Sequence, residues 1–233
     1  MPIYYLNNDR VAFPHPELTS AEGILAVGGD YTPEWILLAY QYGIFPWSNP
    51  DEPILWWCPD PRFVLFPDEL KVAKSMRPYF NQKKFEVTFD QNFEEVMRQC
   101  MTRPRRGQHG TWISEPMIEG YTRVHELGYA HSVEVWQSGE LVGGLYGIAL
   151  GRVFFGESMF AKVSNASKFG FITLVKTLRK AGFQLIDCQQ ETAHLASLGA
   201  RGIPRKKFLS VLKENDLSQT IRGNWQVVLP PEV

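Results

Sequence analysis

Gln184-Leu-Ile-Asp-Cys-Gln-Gln190 is the stretch on which the fold turns. Leu185 and Ile186 make a short apolar run, and Gly182 stands just ahead of it. That pattern is a buried strand following the end of a helix. Asp187, Cys188 and Gln189 then fall at the carboxyl end of the strand. Side chains alternate faces along a strand, so Asp187 and Gln189 are expected on one side. A carboxylate and an amide at the tip of a buried strand are costly unless they meet partners or a substrate. Two readings are open on these residues alone. Asp187 caps the next helix and Gln189 bonds to backbone, or the pair belongs to a reaction centre.

Working back from this strand, residues 165–180 read as a helix, with Gly182 as its C′ residue. Three segments with tight connections precede it. Residues 130–137 alternate, Ser138-Gly139 is a two-residue turn, 140–150 is a second strand, Gly151 turns again, and 152–160 is a third. This is an antiparallel meander. Further strands are expected at 62–66 and 85–89, and helices at 92–100, from Ser114 to Leu127, at 194–198 and at 204–213. The class is therefore α+β. Antiparallel strands followed by a helix and a strand that re-enters the same sheet resemble the GNAT-like acyltransferase architecture, a likeness that does not itself give function.

A helix is also expected at 70–80, with Lys71, Lys74 and Arg77 spaced to share one face. Lys83 and Lys84 follow, and Arg103-Pro-Arg-Arg-Gly-Gln-His-Gly110 is a basic loop containing Arg105 and Arg106. Clustered cations of this kind suit a phosphate backbone, where they release counterions; an ordinary solvated surface is the other reading.

Residues 1–61 have a different texture. Ten of the 16 prolines fall by Pro67, and four of the seven tryptophans are Trp35, Trp47, Trp56 and Trp57. Proline lacks a donor and fixes φ, so long strands are not expected here. One helix is clear: Thr32 is its N-cap, Pro33 opens it, and Gly43 ends it. Gly28-Gly29 is a tight turn and not a phosphate loop, because no Gly-Lys-Ser/Thr follows. The chain is expected to divide into a small loop-rich domain, 1–61, and a larger domain, 62–233.

The 233 residues are 44% hydrophobic and 21% charged, which suits an ordinary globular core. No apolar run approaches a membrane span, and the N-terminus lacks the pattern of a signal peptide. Cys58, Cys100 and Cys188 are odd in number and far apart. They fit neither a disulfide framework nor a Cys-x-x-Cys metal site, so a reduced cytoplasmic compartment is expected and a metal is not. Residues 1–61 carry a net charge of −7 and residues 62–233 one of +6, which suggests a polyanionic partner for the larger part.

A second chemical cluster lies between meander and helix. Glu157 is flanked by Phe154, Phe155, Met159 and Phe160. A carboxyl in so apolar a setting is ion-paired or functional. The following turn, Ala161-Lys-Val-Ser-Asn-Ala166, lacks the glycines of an acetyl-coenzyme A pyrophosphate loop, which counts against that donor.

The chain resembles one family in particular, the leucyl/phenylalanyl-tRNA–protein transferases. The strings that carry the resemblance include Gly43-Ile-Phe-Pro-Trp47, Leu55-Trp-Trp-Cys-Pro-Asp-Pro-Arg62, Gly110-Thr-Trp-Ile113, His131-Ser-Val-Glu-Val-Trp136, Gly156-Glu-Ser-Met-Phe160, Asn165-Ala-Ser-Lys168 and Leu185-Ile-Asp-Cys-Gln189. They keep the family's order and span nearly the whole chain. Leu145 and Leu178 depart from it, standing where members often have Met and Phe in or near the amino-acid pocket.

The resemblance implies an aminoacyltransferase that moves Leu or Phe, and Met less well, from aminoacyl-tRNA to the N-terminal amine of proteins beginning with Lys or Arg. The product is an N-end rule degradation signal. It also implies a cytoplasmic enzyme with no metal, nucleotide or coenzyme, here expected to work as a monomer. An aminoacyl ester is already activated, so the enzyme has to align an amine with the ester carbonyl and manage one proton. On this reading Asp187 orients and helps deprotonate the amine, Gln189 positions the reacting centre, and Glu157, grouped with them as catalytic, pairs with the cationic acceptor terminus or holds the adenosine. Trp112, Phe154, Met159, Leu178 and Ile186 are the candidate walls of the amino-acid pocket. Trp47 is the candidate platform for the terminal adenosine. Lys71, Lys74, Arg77, Lys83 and Lys84 are candidates for the tRNA body, with Arg105 and Arg106.

Overall fold

The computed structural model describes residues 3–102 and 111–232. The expected basic loop with Arg105 and Arg106 lies outside the described residues. The proline-rich start builds a sheet from four very short strands: β1 (Tyr4–Leu6), β2 (Ile24–Gly28), β3 (Phe45–Pro46) and β4 (Leu55–Trp57), in the order β1-β2-β4-β3. Helix α1 (Pro33–Gln41) packs on it. Leu25, Ala26, Trp35, Ala39, Ile44 and Trp56 form its core, so two of the four tryptophans, Trp35 and Trp56, serve its packing.

The remaining strands form one seven-stranded sheet. They are β5 (Arg62–Leu65), β6 (Glu86–Phe89), β7 (Ala130–Gln137), β8 (Glu140–Leu150), β9 (Val153–Ala161), β10 (Leu185–Gln189) and β11 (Arg201–Ile203). The order is β11-β5-β10-β9-β8-β7-β6, antiparallel throughout except for the parallel pair β9–β10. The meander and the re-entering strand are thus as expected, while β11 and the small sheet were not foreseen.

Six helices accompany this sheet: α2 (Arg77–Asn81), α3 (Phe93–Thr102), α4 (Glu115–Glu126), α5 (Ala166–Lys180), α6 (Ala193–Ser197) and α7 (Arg205–Glu214). A last turn, α8 (Trp225–Val228), follows. Helix α5 covers one face, packing Phe169, Ile172 and Leu178 with Val133, Val135, Leu145 and Trp225. Helices α1, α3, α4 and α7 cover the other, packing Tyr40, Val96, Tyr121 and Phe208 with Tyr146, Ile148 and Phe155. Alternate residues of β8 therefore enter opposite cores, which is why the strand is apolar nearly throughout. Gly143 lets α5 lie against β8, since a Cβ there would come 2.7 Å from the Cβ of Ala166.

The helix expected at 70–80 is not formed. The chain makes 3₁₀ turns at Pro67–Glu69 and Lys74–Met76, and becomes α-helical only at Arg77. Pro78 explains this: inside a longer helix it would lack a donor and collide with the preceding turn, whereas the first turn tolerates it. Lys71, Lys74, Arg77, Lys83 and Lys84 are nonetheless all exposed. They are arrayed along a winding segment instead of one helical face.

Candidate functional site

The pairing of β9 with β10 runs only from Val153–Leu185 to Phe155–Asp187. Beyond it the two strands part. Residues from Gly156 on stay with β8, while β10 is irregular between Asp187 and Gln189 and follows β5. Gln189 takes φ +62°, a conformation uncommon for a residue with a side chain. A cavity of about 630 Å³ opens where the strands separate. Its walls include Gly156 to Met159 from β9, Ile186 to Gln190 from β10, Phe45 to Trp47 from the small sheet, and Thr192, His194 and Leu195 around α6.

One end is apolar. Leu145, Phe154, Met159, Phe171, Ile186 and Leu195 line it. Trp47 and Trp112, both half-buried, also line the cavity, packed with the core on the other face of the sheet. Leu178 does not reach the cavity; it is wholly buried in the core beneath α5, so its sequence-based assignment to the pocket wall is corrected. The helical period that places Phe171 on the cavity side carries Leu178, two turns on, deeper into the packing.

The other end is polar and close to water-free. Asp187 is fully buried, and Glu157 and Gln189 are each 9% exposed. Arg62, at the start of β5, grips Asp187 with both arms: Nε donates to Oδ1 at 2.8 Å and Nη2 to Oδ2 at 2.6 Å. The guanidinium lies between the rings of Phe45 and Phe208, 4.7 and 4.6 Å from their centroids. Asp187 Oδ1 also accepts the backbone N–H of Gln189 at 2.9 Å. Thr192, not Asp187, caps the following helix, accepting from the N–H of Leu195. Gln189 Nε2 donates to Glu157 Oε1 at 2.6 Å. Behind Glu157 the hydroxyls of Tyr40 and Tyr121 meet at 2.6 Å, and Tyr121 donates weakly to Glu157 Oε2 at 3.5 Å.

Burial pushes the Glu157 carboxyl up to about 8, with the Asp187 charge adding to the rise and hydrogen bonds from Tyr40 and Gln189 opposing it. A carboxyl so placed exchanges its proton near neutral pH, as a general base or acid should. Asp187 has its oxygens taken up by Arg62 and the Gln189 backbone, which suits it to holding geometry. Sequence reasoning missed Arg62, Tyr40 and Tyr121. Arg62 offers one signal, a charge opening the apolar run Arg62-Phe-Val-Leu-Phe66. The tyrosines offer none, because they occupy ordinary apolar positions of α1 and α4.

Among the described residues no three His, Cys, Asp or Glu side chains cluster to hold a metal ion, and no helix is long and apolar enough to cross a membrane. Lys71, Lys74, Arg77, Lys83 and Lys84 do not line the cavity. The Lys71 N–H donates to the carbonyl of Leu198, just past α6, and Asn165 at the start of α5 donates to the hydroxyl of Tyr79.

An apolar slot that opens onto a proton-exchanging carboxyl, where two internal strands of an α+β sheet part, is the equipment of an acyl-transfer enzyme. Comparison with known proteins makes this specific. The family model described as leucyl/phenylalanyl-tRNA protein transferase matches residues 64–213, and that of its N-terminal domain matches 29–60. A leucyl/phenylalanyl-tRNA–protein transferase of Nitrosospira multiformis is 57% identical over 213 residues, 91% of each chain. That of Hydrogenovibrio crunogenus is 55% identical over 231 residues, 96% of this chain and 90% of the relative. The chain belongs to the leucyl/phenylalanyl-tRNA–protein transferase family and is an aminoacyltransferase. Likeness to solved structures is faint: a GCN5-related N-acetyltransferase from Kribbella flavida aligns with a TM-score of 0.33 at 11% identity, covering 71% of this chain and 59% of that one.

Proposed function

We propose that the cavity receives the aminoacyl end of leucyl- or phenylalanyl-tRNA, and of methionyl-tRNA less well, and passes the acyl group to the N-terminal amine of proteins that begin with Lys or Arg. The product is an N-end rule degradation signal made in the cytoplasm. The observation that carries this reading is a single cavity that joins an apolar slot to the Glu157–Gln189–Asp187 cluster.

The amine nitrogen attacks the ester carbonyl, an amide bond forms, the ester C–O bond breaks, and the ribose oxygen leaves with a proton. Glu157 takes the amine proton and Gln189 holds the reacting centre. Asp187, braced by Arg62, fixes Gln189 through its backbone N–H. Alignment of this kind contributes roughly 7–11 kcal/mol, so a modest base suffices. Phe154, Met159, Ile186 and Trp112 take the donor side chain, rejecting charged ones through desolvation. Trp47 stacks on the terminal adenosine, worth about 1–3 kcal/mol.

Lys71, Lys74, Arg77, Lys83 and Lys84 carry the tRNA body by charge neutralisation, not base reading. The acceptor's Lys or Arg approaches from the acidic N-terminal side. Asp30 and Glu52 line a smaller hollow of about 350 Å³ that shares Trp112 with the main cavity. The division into domains 1–61 and 62–233 is supported by each sheet drawing its strands from one side of Arg62. The enzyme works as a monomer.

The test combines leucyl-tRNA, a labelled protein beginning with Arg, and no added cofactor. Transfer of leucine to that protein, but not to the same protein beginning with an acidic residue, is expected. Absence of transfer overturns the reading.

A further inference from the structure

The string Asn165-Ala-Ser-Lys168, at the start of α5, has no part in the scheme above. Ser167 lines the cavity, and Lys168 stands one residue further along the helix, half-exposed. The α6 wall feels its charge as well. Burial, and after it the positive charge of Lys168, holds the imidazole of His194 below its ordinary range for protonation. Lys168 is therefore placed at the cavity rim, between α5 and α6. Among the described residues it forms no ion pair, whereas Arg98, Arg201 and Lys180 are each matched by a carboxylate.

The segment that carries Lys71, Lys74, Arg77, Lys83 and Lys84 abuts the same two helices. At one end the Lys71 N–H donates to the carbonyl of Leu198, just past α6. At the other, the Asn165 amide donates to the Tyr79 hydroxyl at 3.0 Å, and the Lys84 ammonium lies 5.2 Å from the centroid of the Tyr79 ring. Further along α5, Lys176 sits over the ring of Phe80, 4.2 Å from its centroid. Lys168 thus links the cavity to a continuous basic surface. A tRNA whose body rests on that surface and whose aminoacyl end enters the cavity has to carry its unpaired 3′ strand across the start of α5. We propose that Lys168 neutralises a phosphate of that strand, between the terminal adenosine and the tRNA body, making it a positioning residue for the donor. This rests on the reading of the cavity as the aminoacyl site.

The chemistry fits a flexible strand. A lysine ammonium is a point charge with three rotatable donors, so it follows a phosphate whose position no duplex fixes. It reads no base and serves every donor tRNA alike. The carboxylates of the adjoining 3₁₀ turn do not cancel it. Glu69 is taken up by Arg201, and Asp68 lines a separate hollow with Lys176, Arg179 and Lys180.

The experiment compares three leucyl donors: the full tRNA, the trinucleotide CpCpA, and adenosine alone, which has no phosphate. Lys168→Gln is expected to lower kcat/KM about five- to tenfold with the tRNA and with the trinucleotide, mainly through KM, the weight of one partly exposed charge-assisted contact. With both, the slope of log kcat/KM against log salt should flatten by about 0.7, the value for one single-strand phosphate. Leucyl-adenosine should change less than about twofold, and Lys168→Arg should keep most of the activity on all three. Lys83→Gln with Lys84→Gln serves as the contrast, weakening the tRNA donor but not the trinucleotide. A loss for Lys168→Gln that extends equally to leucyl-adenosine, a loss confined to the full tRNA, or no loss at all overturns the assignment. Wild-type enzyme that transfers leucine from none of the three donors instead sinks the parent reading, so the two failures are distinguishable.

Discussion

Arg62 and Asp187, 125 residues apart in sequence, are joined by two short hydrogen bonds in which neither side chain is exposed to solvent. Their pairing welds β5 to β10 where β10 leaves β9. It leaves Gln189, directed by the Asp187 carboxylate, to face Glu157 across the cavity.

Breaking one half of this pair strands the other. Asp187→Asn is expected to destabilise the protein by about 3–5 kcal/mol, because a buried guanidinium loses its counter-charge. Gln189→Ala is expected to lose most transfer but no more than about 1 kcal/mol of stability. Chemical denaturation beside transfer assays reads both. A denaturation midpoint unchanged in Asp187→Asn contradicts the bracing role.

The raised Glu157 carboxyl makes stability and activity run in opposite directions with pH. At about 8 in the folded state against 4.5 for an ordinary glutamate, it retains a proton that the unfolded chain has released. Its contribution is fully present below about 4.5 and is lost as pH rises through about 8. Wild type should therefore lose stability relative to Glu157→Gln across that window.

Transfer by a basic Glu157 requires the deprotonated form. The acceptor amine, at roughly 7.7–8.0, titrates over the same range. Below neutrality log kcat/KM should rise with a slope of about two in wild type and about one in Glu157→Gln. Identical slopes remove Glu157 from the proton-accepting role.

Tyr40 holds the Glu157 carboxyl down against the larger effect of burial. Tyr40→Phe removes that hydrogen bond, worth about 0.5–1.5 kcal/mol. The acid limb of the pH profile, where the rate rises as Glu157 loses its proton, should then move upward by as much as about one pH unit. A limb that stays in place shows that the tyrosines serve packing alone.

Neutralising Lys83 and Lys84 to Gln should weaken tRNA binding and flatten its salt dependence by about one slope unit per lost phosphate contact. Transfer from a short aminoacyl-adenosine donor should not change. Equal effects on both donors place these lysines outside the tRNA contact.

Gly120 of α4 lies against the backbone carbonyl of Tyr31, which a Cβ would strike. Gly120→Ala is expected to cost about 1–3 kcal/mol by overpacking and to disturb the nearby Tyr40–Tyr121 contact. Thermal denaturation and the pH profile together test this.

The sequence by itself determined the α+β class, the meander, helix α5, the re-entering strand, and the placing of Asp187 and Gln189 at that strand's tip, whereas Trp47, Trp112, Phe154, Met159 and Ile186 were put in one site only by the family resemblance. The former follow from local signals: alternation along strands, caps and glycines at helix ends, and polar groups at the tips of apolar runs. It overreached at 70–80, where apolar and basic spacing suggested a helix that Pro78 forbids, and at Leu178, where helix phase alone could not say which turns face the cavity and which the core. Only the tertiary structure decided that Arg62 pairs with Asp187, that Tyr40 of α1 crosses to stand behind Glu157, and that Glu157 is raised toward neutrality. Ion pairs and desolvation depend on partners brought from distant parts of the chain and on how much water is excluded between them, and neither quantity is written in the spacing of residues.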